Sequence, residues 1–84
     1  MIRLAIIEDN ALYRTALQTY INSIGGIQVV YLESSVKGLL SNLTLNPDVV
    51  IMDIDLGKES GIDGVQKVKQ VLPAAGIFFR PNSV

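Results

Sequence analysis

The sequence of 84 residues contains no cysteine and no histidine. The first absence excludes disulfides, thiolate metal sites and a cysteine nucleophile, and the second excludes a histidine base or zinc ligand. A strong charge of one sign is also missing, because seven basic and eight acidic residues give a net charge of −1 and a pI near 5.1. This balance argues against nucleic-acid binding, which needs a basic surface.

Long hydrophobic runs are absent as well. The longest fully apolar runs, 4–7, 29–32 and 49–52, are far shorter than the about 20 residues that a membrane-spanning helix needs. The N-terminus lacks the layout of a signal peptide, because its apolar run leads directly into Glu8 and Asp9. We therefore expect a cytoplasmic protein that does not contact a membrane.

Apolar residues are abundant even though long runs are not. They make up 49% of the chain, whereas charged residues make up 18%, below the usual value of about 25%. A chain of this length forms one compact domain and buries only about 60–65% of the surface that its unfolded form exposes. We expect a single domain over residues 1–84, with a fold that is marginal or completed by a partner.

Strand and helix patterns alternate along the chain. Short apolar runs predict strands at residues 3–7, 27–32, 49–52 and 77–79. The residues expected to begin or end the three intervening helices are Asn10, Gly25, Gly26, Ser34 or Ser35, and Asp63. The first helix carries one apolar stripe that runs from Leu12 to Ile24. The order β-α-β-α-β-α-β predicts a parallel α/β sheet.

Three acidic residues follow predicted strands, where α/β folds place their chemistry. Glu8 and Asp9 follow the first strand, and Asp53 follows the apolar run VVIM of the third. If these strands are neighbours, the carboxylates converge and repel one another unless a proton or a cation intervenes, and Mg²⁺ is the simplest such cation. A carboxylate beside Mg²⁺ can attack phosphorus. The alternative is that each acid is a helix cap or a solvated loop residue, which fits Asp53 least well.

The segments IIEDN (6–10) and DVVIMDIDLGKESGIDGV (48–65) resemble the receiver domain of bacterial two-component response regulators. The resemblance covers about residues 2–73 and implies a CheY-like, flavodoxin-like sheet with strand order 2-1-3-4-5. It further implies that a histidine kinase is the partner and that the chain is not an enzyme. The site residues implied are Asp53 as phosphoacceptor and, as Mg²⁺ ligands, Glu8, Asp9, Asp53 and the backbone carbonyl of Asp55.

The C-terminal part of the receiver pattern is not matched. Pro81 stands near the position of the family's switch threonine or serine, and the family's later lysine has no counterpart. Ser83 and Lys58 are weak candidates for these roles, and Gly57 stands where the family usually has proline. We therefore expect a truncated receiver that lacks the last βα units and an output domain, and whose switching is impaired.

Two other interpretations stay open. One is a receiver remnant that no longer signals and acts as a self-associating interaction module. Whether or not the chain signals, we expect a homodimer that buries residues 77–79 and the face of the first and third strands, because uncovered edges and apolar faces favour association. The other is a haloacid-dehalogenase-type phosphohydrolase. Asp53-Ile54-Asp55 resembles the nucleophile motif of that family, although the family places the motif on its first strand.

Overall fold

Four parallel strands alternate with three helices in the computed structural model, which describes residues 1–54 and 61–81. The elements are β1 (Ile2–Glu8), α1 (Ala11–Ser23), β2 (Ile27–Glu33), α2 (Val36–Ser41), β3 (Val49–Ile54), α3 (Gly61–Val71) and β4 (Gly76–Pro81). The sheet has the order β2-β1-β3-β4, and all three strand pairs are parallel. The predicted β-α-β-α-β-α-β order and flavodoxin-like sheet are confirmed.

Asp48 fixes the register of the sheet at the amino ends of its strands. Its backbone N–H donates to the carbonyl of Arg3 at 2.8 Å, and its carboxylate accepts from the Arg3 N–H at 2.9 Å. Its carbonyl accepts from the Gly76 N–H at 3.0 Å. Asp48 thus joins β1 and β4 to the start of β3. Because a slip of one residue would turn every side chain to the other face, this junction also determines which residues meet at the carboxyl ends.

The two faces of the sheet are covered to different extents. Helices α2 and α3 pack on one face, over a core that contains Ala5, Ile7, Val36, Leu39, Val50, Met52, Val68, Leu72 and Ala75. Helix α1 packs on the other face, where the buried residues are Leu4, Ile6 and Ile21. Since alternate residues of a strand point to opposite faces, Ile77 and Phe79 face the larger core, while Phe78, opposite Ile51, faces the side of α1 and is 66% exposed.

The predicted helix ends are largely confirmed. The side chain of Asn10 caps α1 by accepting from the Tyr13 N–H at 3.0 Å, and Ser35 caps α2 by accepting from the Gly38 N–H at 3.0 Å. Gly26, with φ of +87°, provides the left-handed residue beyond α1. Within residues 1–54 and 61–81, no helix combines the length and apolarity needed to cross a membrane.

All four strands extend beyond their predicted runs, so that Glu8 lies within β1, and the differences at β3 and α3 change where Asp53 and Asp63 lie. β3 continues through Asp53 to Ile54, so Asp53 lies within the strand and not after it. α3 begins at Gly61, so Asp63 lies in its first turn and does not precede it. A negative charge there is favourable beside the helix N-terminus. The apolar run 49–52 predicts an earlier end for β3. The strand continues because Asp53 pairs with Glu8 of β1, and such pairing is not visible in the composition of one segment.

The expectation of one apolar stripe on α1 is wrong in part. Ile21 is buried and Leu17 packs against the same core, but Leu12 and Tyr20 are 85% and 65% exposed. A helix that lies on a sheet buries only the side that touches it, and the predicted stripe is wider than that side. The remainder of the stripe forms an exposed apolar surface on α1.

Tyr31 anchors the connection between α2 and β3. Its hydroxyl oxygen accepts from the backbone N–H groups of Thr44 and Leu45 at 2.7 and 2.8 Å. Hydrogen bonds from the Thr44 hydroxyl and from the Leu45 and Thr44 backbone lower the pKa of the Tyr31 phenol. A side chain of β2 therefore positions the segment that leads into β3.

Replacing Tyr31 by phenylalanine keeps the ring and leaves two backbone N–H groups without this acceptor. We expect Tyr31→Phe to lower the melting temperature by several degrees, because lost hydrogen-bond partners destabilise the folded state. Tyr20→Phe is the matched control, since Tyr20 is 65% exposed, and it should melt like the wild type by circular dichroism. Equal melting temperatures for the two variants would show that the anchor contributes nothing.

Candidate metal centre

Two carboxylates lie side by side at the carboxyl edge of the sheet. Glu8 on β1 is directly opposite Asp53 on β3, in the last pair of the register that begins with Leu4 opposite Val49. Their side chains are almost completely buried, with 0% and 5% exposure. Glu8 continues the alternation of Leu4 and Ile6, and Asp53, its partner on β3, therefore points to the same face, which α1 covers. The expected convergence of carboxylates from the first and third strands is thus observed for Glu8 and Asp53.

Glu8 is held in place from two directions. Its Oε1 accepts from the Asn10 backbone N–H at 2.9 Å, and its main-chain carbonyl accepts from Nη1 of Arg14 at 2.7 Å. On the facing strand, Oδ1 of Asp53 is buried and accepts no hydrogen bond from the described residues. A buried carboxylate oxygen without a donor is costly, so this atom favours a proton or a cation at the same edge.

Burial raises the pKa of Glu8 to about 7, with the charge of Asp53 and hydrogen bonding to the Asp9 and Asp53 carboxyls acting in the same direction. The hydrogen bond from the Asn10 backbone N–H opposes this shift without cancelling it. Near neutral pH, the metal-free pair therefore holds a proton for part of the time. The two strands thus bring two buried carboxyl groups together, which favours a shared proton or a cation between them.

The chemistry of these residues fits a hard divalent cation. Mg²⁺ is usually bound by one or two carboxylates and completes its octahedral shell with waters. Glu8 and Asp53 supply adjacent carboxylates, and the half-buried Asp9 is the next residue along the chain. Within the described part of the chain, no group of three or more potential metal-ligating side chains is assembled, and Asp55 lies outside the described residues.

A groove of about 210 Å³ opens beside Asp53. Its other lining residues all come from α1 and are Tyr13, Ala16, Leu17 and Tyr20. Asp53 is therefore accessible from the side of α1, through a groove whose lining is mainly apolar. In the sequence, these lining residues were visible only as part of the apolar stripe. The contact between Arg14 and the Glu8 carbonyl was not anticipated, and no motif in the sequence indicates it.

Comparison with known families accounts for this arrangement. The response regulator receiver domain matches residues 4–79, which is most of the chain. The chain belongs to the response regulator receiver domain family. The family resemblance inferred from IIEDN and from the segment 48–65 is confirmed, and with it a place in two-component signalling.

Curated relatives agree with this assignment. The chain is 37% identical over 73 residues to the response regulator GacA of Pseudomonas protegens, a match covering 86% of the chain and 33% of that protein. It is 35% identical over 75 residues to the sensory transduction protein LytR of Staphylococcus haemolyticus, covering 88% of the chain and 29% of the relative. The chain thus spans about a third of the length of these relatives. No solved structure matches it.

The raised pKa of Glu8 predicts how the stability of the metal-free protein depends on pH. The folded carboxyl keeps its proton up to about pH 7, while the unfolded carboxyl loses it near 4.5. Between these values the folded state binds more protons, so the free energy of unfolding falls as the pH rises. From the size of the shift, Glu8 accounts for at most roughly 3 kcal/mol of this fall.

Denaturant unfolding in EDTA at a series of pH values measures this dependence. Glu8→Gln cannot ionise and should flatten the profile across the window. Glu33→Gln removes a carboxyl at the end of β2 and should keep the wild-type slope. A Glu8→Gln profile as steep as that of the wild type would show that Glu8 does not hold the extra proton.

Proposed function

We propose that this receiver domain binds Mg²⁺ at the carboxyl edge of β1 and β3 and accepts a phosphoryl group on Asp53 from a histidine kinase. The ligands would be the carboxylates of Glu8, Asp9 and Asp53, together with the backbone carbonyl of Asp55. The observation that carries the proposal is the register, which places the buried carboxylates of Glu8 and Asp53 directly opposite each other. Membership of the receiver family supports the identity of the donor.

The chemistry follows from the state of the Asp53 carboxylate. An ionised oxygen of Asp53 attacks phosphorus, a P–O bond forms, and the P–N bond to the donor histidine breaks, so that the electron pair leaves with the donor nitrogen. The site must therefore be free of the proton that the metal-free pair holds near neutral pH. Bound Mg²⁺ supplies positive charge that neutralises both the carboxylates and the transferred oxygens.

The residues around the site have separate tasks in this scheme. The contacts from Asn10 and Arg14 hold Glu8, and the pairing of β1 with β3 holds Asp53. The groove of about 210 Å³ provides the approach to Asp53 along α1. In this proposal, the protein is a cytoplasmic phosphoacceptor and not an enzyme, and the family match supports this role of Asp53 over that of a phosphohydrolase nucleophile.

A second candidate function is self-association, as a homodimer of receivers. The supporting observation is the exposed apolar surface on the side of α1. Its members, here called the α1-side surface, are Leu12, Tyr13, Tyr20 and Phe78, which are 85%, 49%, 65% and 66% exposed. β4, which carries Phe78, is an edge of the described sheet, and an open edge can pair with another chain. Of the residues 77–79, Phe78 has the exposed side chain, whereas Ile77 and Phe79 are partly buried against the larger core.

Phosphorylation of Asp53 is tested with acetyl phosphate as a small donor. In the presence of Mg²⁺, intact-mass spectrometry should show the addition of one phosphoryl group to the wild type. Asp53→Asn should abolish the adduct, and EDTA should reduce it strongly in the wild type. Asp63→Asn, which removes an exposed acid from the first turn of α3, should label like the wild type.

The outcomes separate the two candidate functions. An adduct that persists in Asp53→Asn contradicts the assignment of the phosphoacceptor. A wild type that stays unlabelled at every concentration of donor contradicts phosphoacceptance and favours the self-associating module.

Self-association is tested by size-exclusion chromatography with light scattering over a range of concentrations. We expect a dimer that dissociates on dilution, because burial of the α1-side surface provides the driving force. Phe78→Ser should shift the equilibrium toward the monomer. Val71→Ser should not, since Val71 is 51% exposed but lies on α3, on the other face. A wild type that is monomeric at every concentration would refute the dimer.

A further inference from the structure

Arg14 contacts both sides of the acidic turn that follows β1. Its guanidinium donates through Nη1 to the main-chain carbonyl of Glu8 at 2.7 Å, and its backbone N–H donates to the carbonyl of Asn10 at 2.9 Å. Asp9 lies between these two contacts. The side chain of Arg14 is half-buried, so its hydrogen bond to Glu8 is partly shielded from water. A charge-assisted bond of this length is stronger than a neutral one.

The residues that flank Asp9 are also held by other bonds. Glu8 pairs with Asp53 in the sheet, and its Oε1 accepts from the Asn10 N–H at 2.9 Å. Asn10 caps α1 through the Tyr13 N–H. Through its guanidinium, Arg14 connects the end of β1 to the first turn of α1. Its removal leaves the carbonyl of Glu8 without this donor and loosens the turn on the side of the strand.

We infer that Arg14 is a positioning residue, which fixes the backbone of the acidic turn so that the Glu8 and Asp9 carboxylates are oriented toward a cation before it binds. This inference rests on the proposed function. Arg14 acts through the main chain, since its hydrogen bond goes to a carbonyl and not to a carboxylate. It therefore corresponds to the outer contacts that orient metal ligands, whose removal typically weakens metal affinity by about 10–100-fold.

If Arg14 acted only as a positive charge near the site, its removal would have the opposite effect on Mg²⁺ affinity. A guanidinium near the carboxylates repels a cation, so its removal would strengthen Mg²⁺ binding. If Arg14 orients the ligands instead, its removal weakens binding. The sign of the change in affinity thus distinguishes the two roles.

Isothermal titration of the metal-free protein with Mg²⁺ measures that sign. Arg14→Met keeps an unbranched stem and a good helix former while removing the charge and the donors, and we expect its affinity to fall about tenfold. Arg14→Lys keeps the positive charge and an N–H donor group and should recover part of the affinity. Arg3→Met removes an exposed arginine from the opposite end of β1 and should bind like the wild type.

Amide hydrogen exchange without metal gives a second measurement. Arg14→Met should speed the exchange of the Asn10 amide, which donates to Glu8, and should leave the amides of β3 unchanged. At saturating Mg²⁺, the labelling rate with acetyl phosphate should return close to that of the wild type, because the cation then holds the carboxylates.

Each result decides between definite alternatives. Unchanged or tighter Mg²⁺ binding in Arg14→Met, with the wild type binding normally, overturns the inference alone. Weaker binding accompanied by faster Asn10 exchange supports it. A wild type that binds no Mg²⁺ overturns the proposed metal site and this inference together, and the Arg3→Met protein would then show the same loss.

Discussion

The register between β1 and β3 is the constraint on which the rest of the site depends. It places Glu8 opposite Asp53 at the carboxyl edge, in a position where both side chains are buried. Asp48 secures that register at the other end of the same strands, five residues before Asp53. A slip of one residue would separate the pair and turn its members to different faces. The geometry of the site is therefore set by the packing and pairing of the whole sheet.

This arrangement lowers stability at the position where the chemistry is proposed. Burial and the neighbouring carboxyls raise the pKa of Glu8, so the metal-free fold holds a proton that the unfolded chain would release. Local departures of this kind from a stable arrangement are characteristic of functional sites. The bonds from Asn10 and Arg14 hold the end of β1 despite the repulsion. A cation bound at the edge would relieve the repulsion between the carboxylates. In the proposed function, these carboxylates also take part in phosphoryl transfer.

Much of this structure could be predicted from the sequence, because hydrophobic periodicity and strand-end acids are local features. They predicted the order of elements, the parallel sheet and the convergence of Glu8 and Asp53 at its carboxyl edge. The contact of Arg14 with Glu8 could not be predicted, since it depends on the angle at which α1 leaves β1. The anchor formed by Tyr31 joins residues distant in sequence and has no local pattern. The exposed part of α1, including Tyr20, is indistinguishable in composition from its buried part.

Thermal melts of the wild type and Asp53→Asn, with and without millimolar Mg²⁺, test the central claim most directly. If the facing carboxylates repel each other and a cation relieves that repulsion, Asp53→Asn melts higher than the wild type in EDTA. Mg²⁺ then raises the melting temperature of the wild type by mass action and that of Asp53→Asn much less. A wild type that gains no stability from Mg²⁺, or a variant that gains as much, would contradict the account.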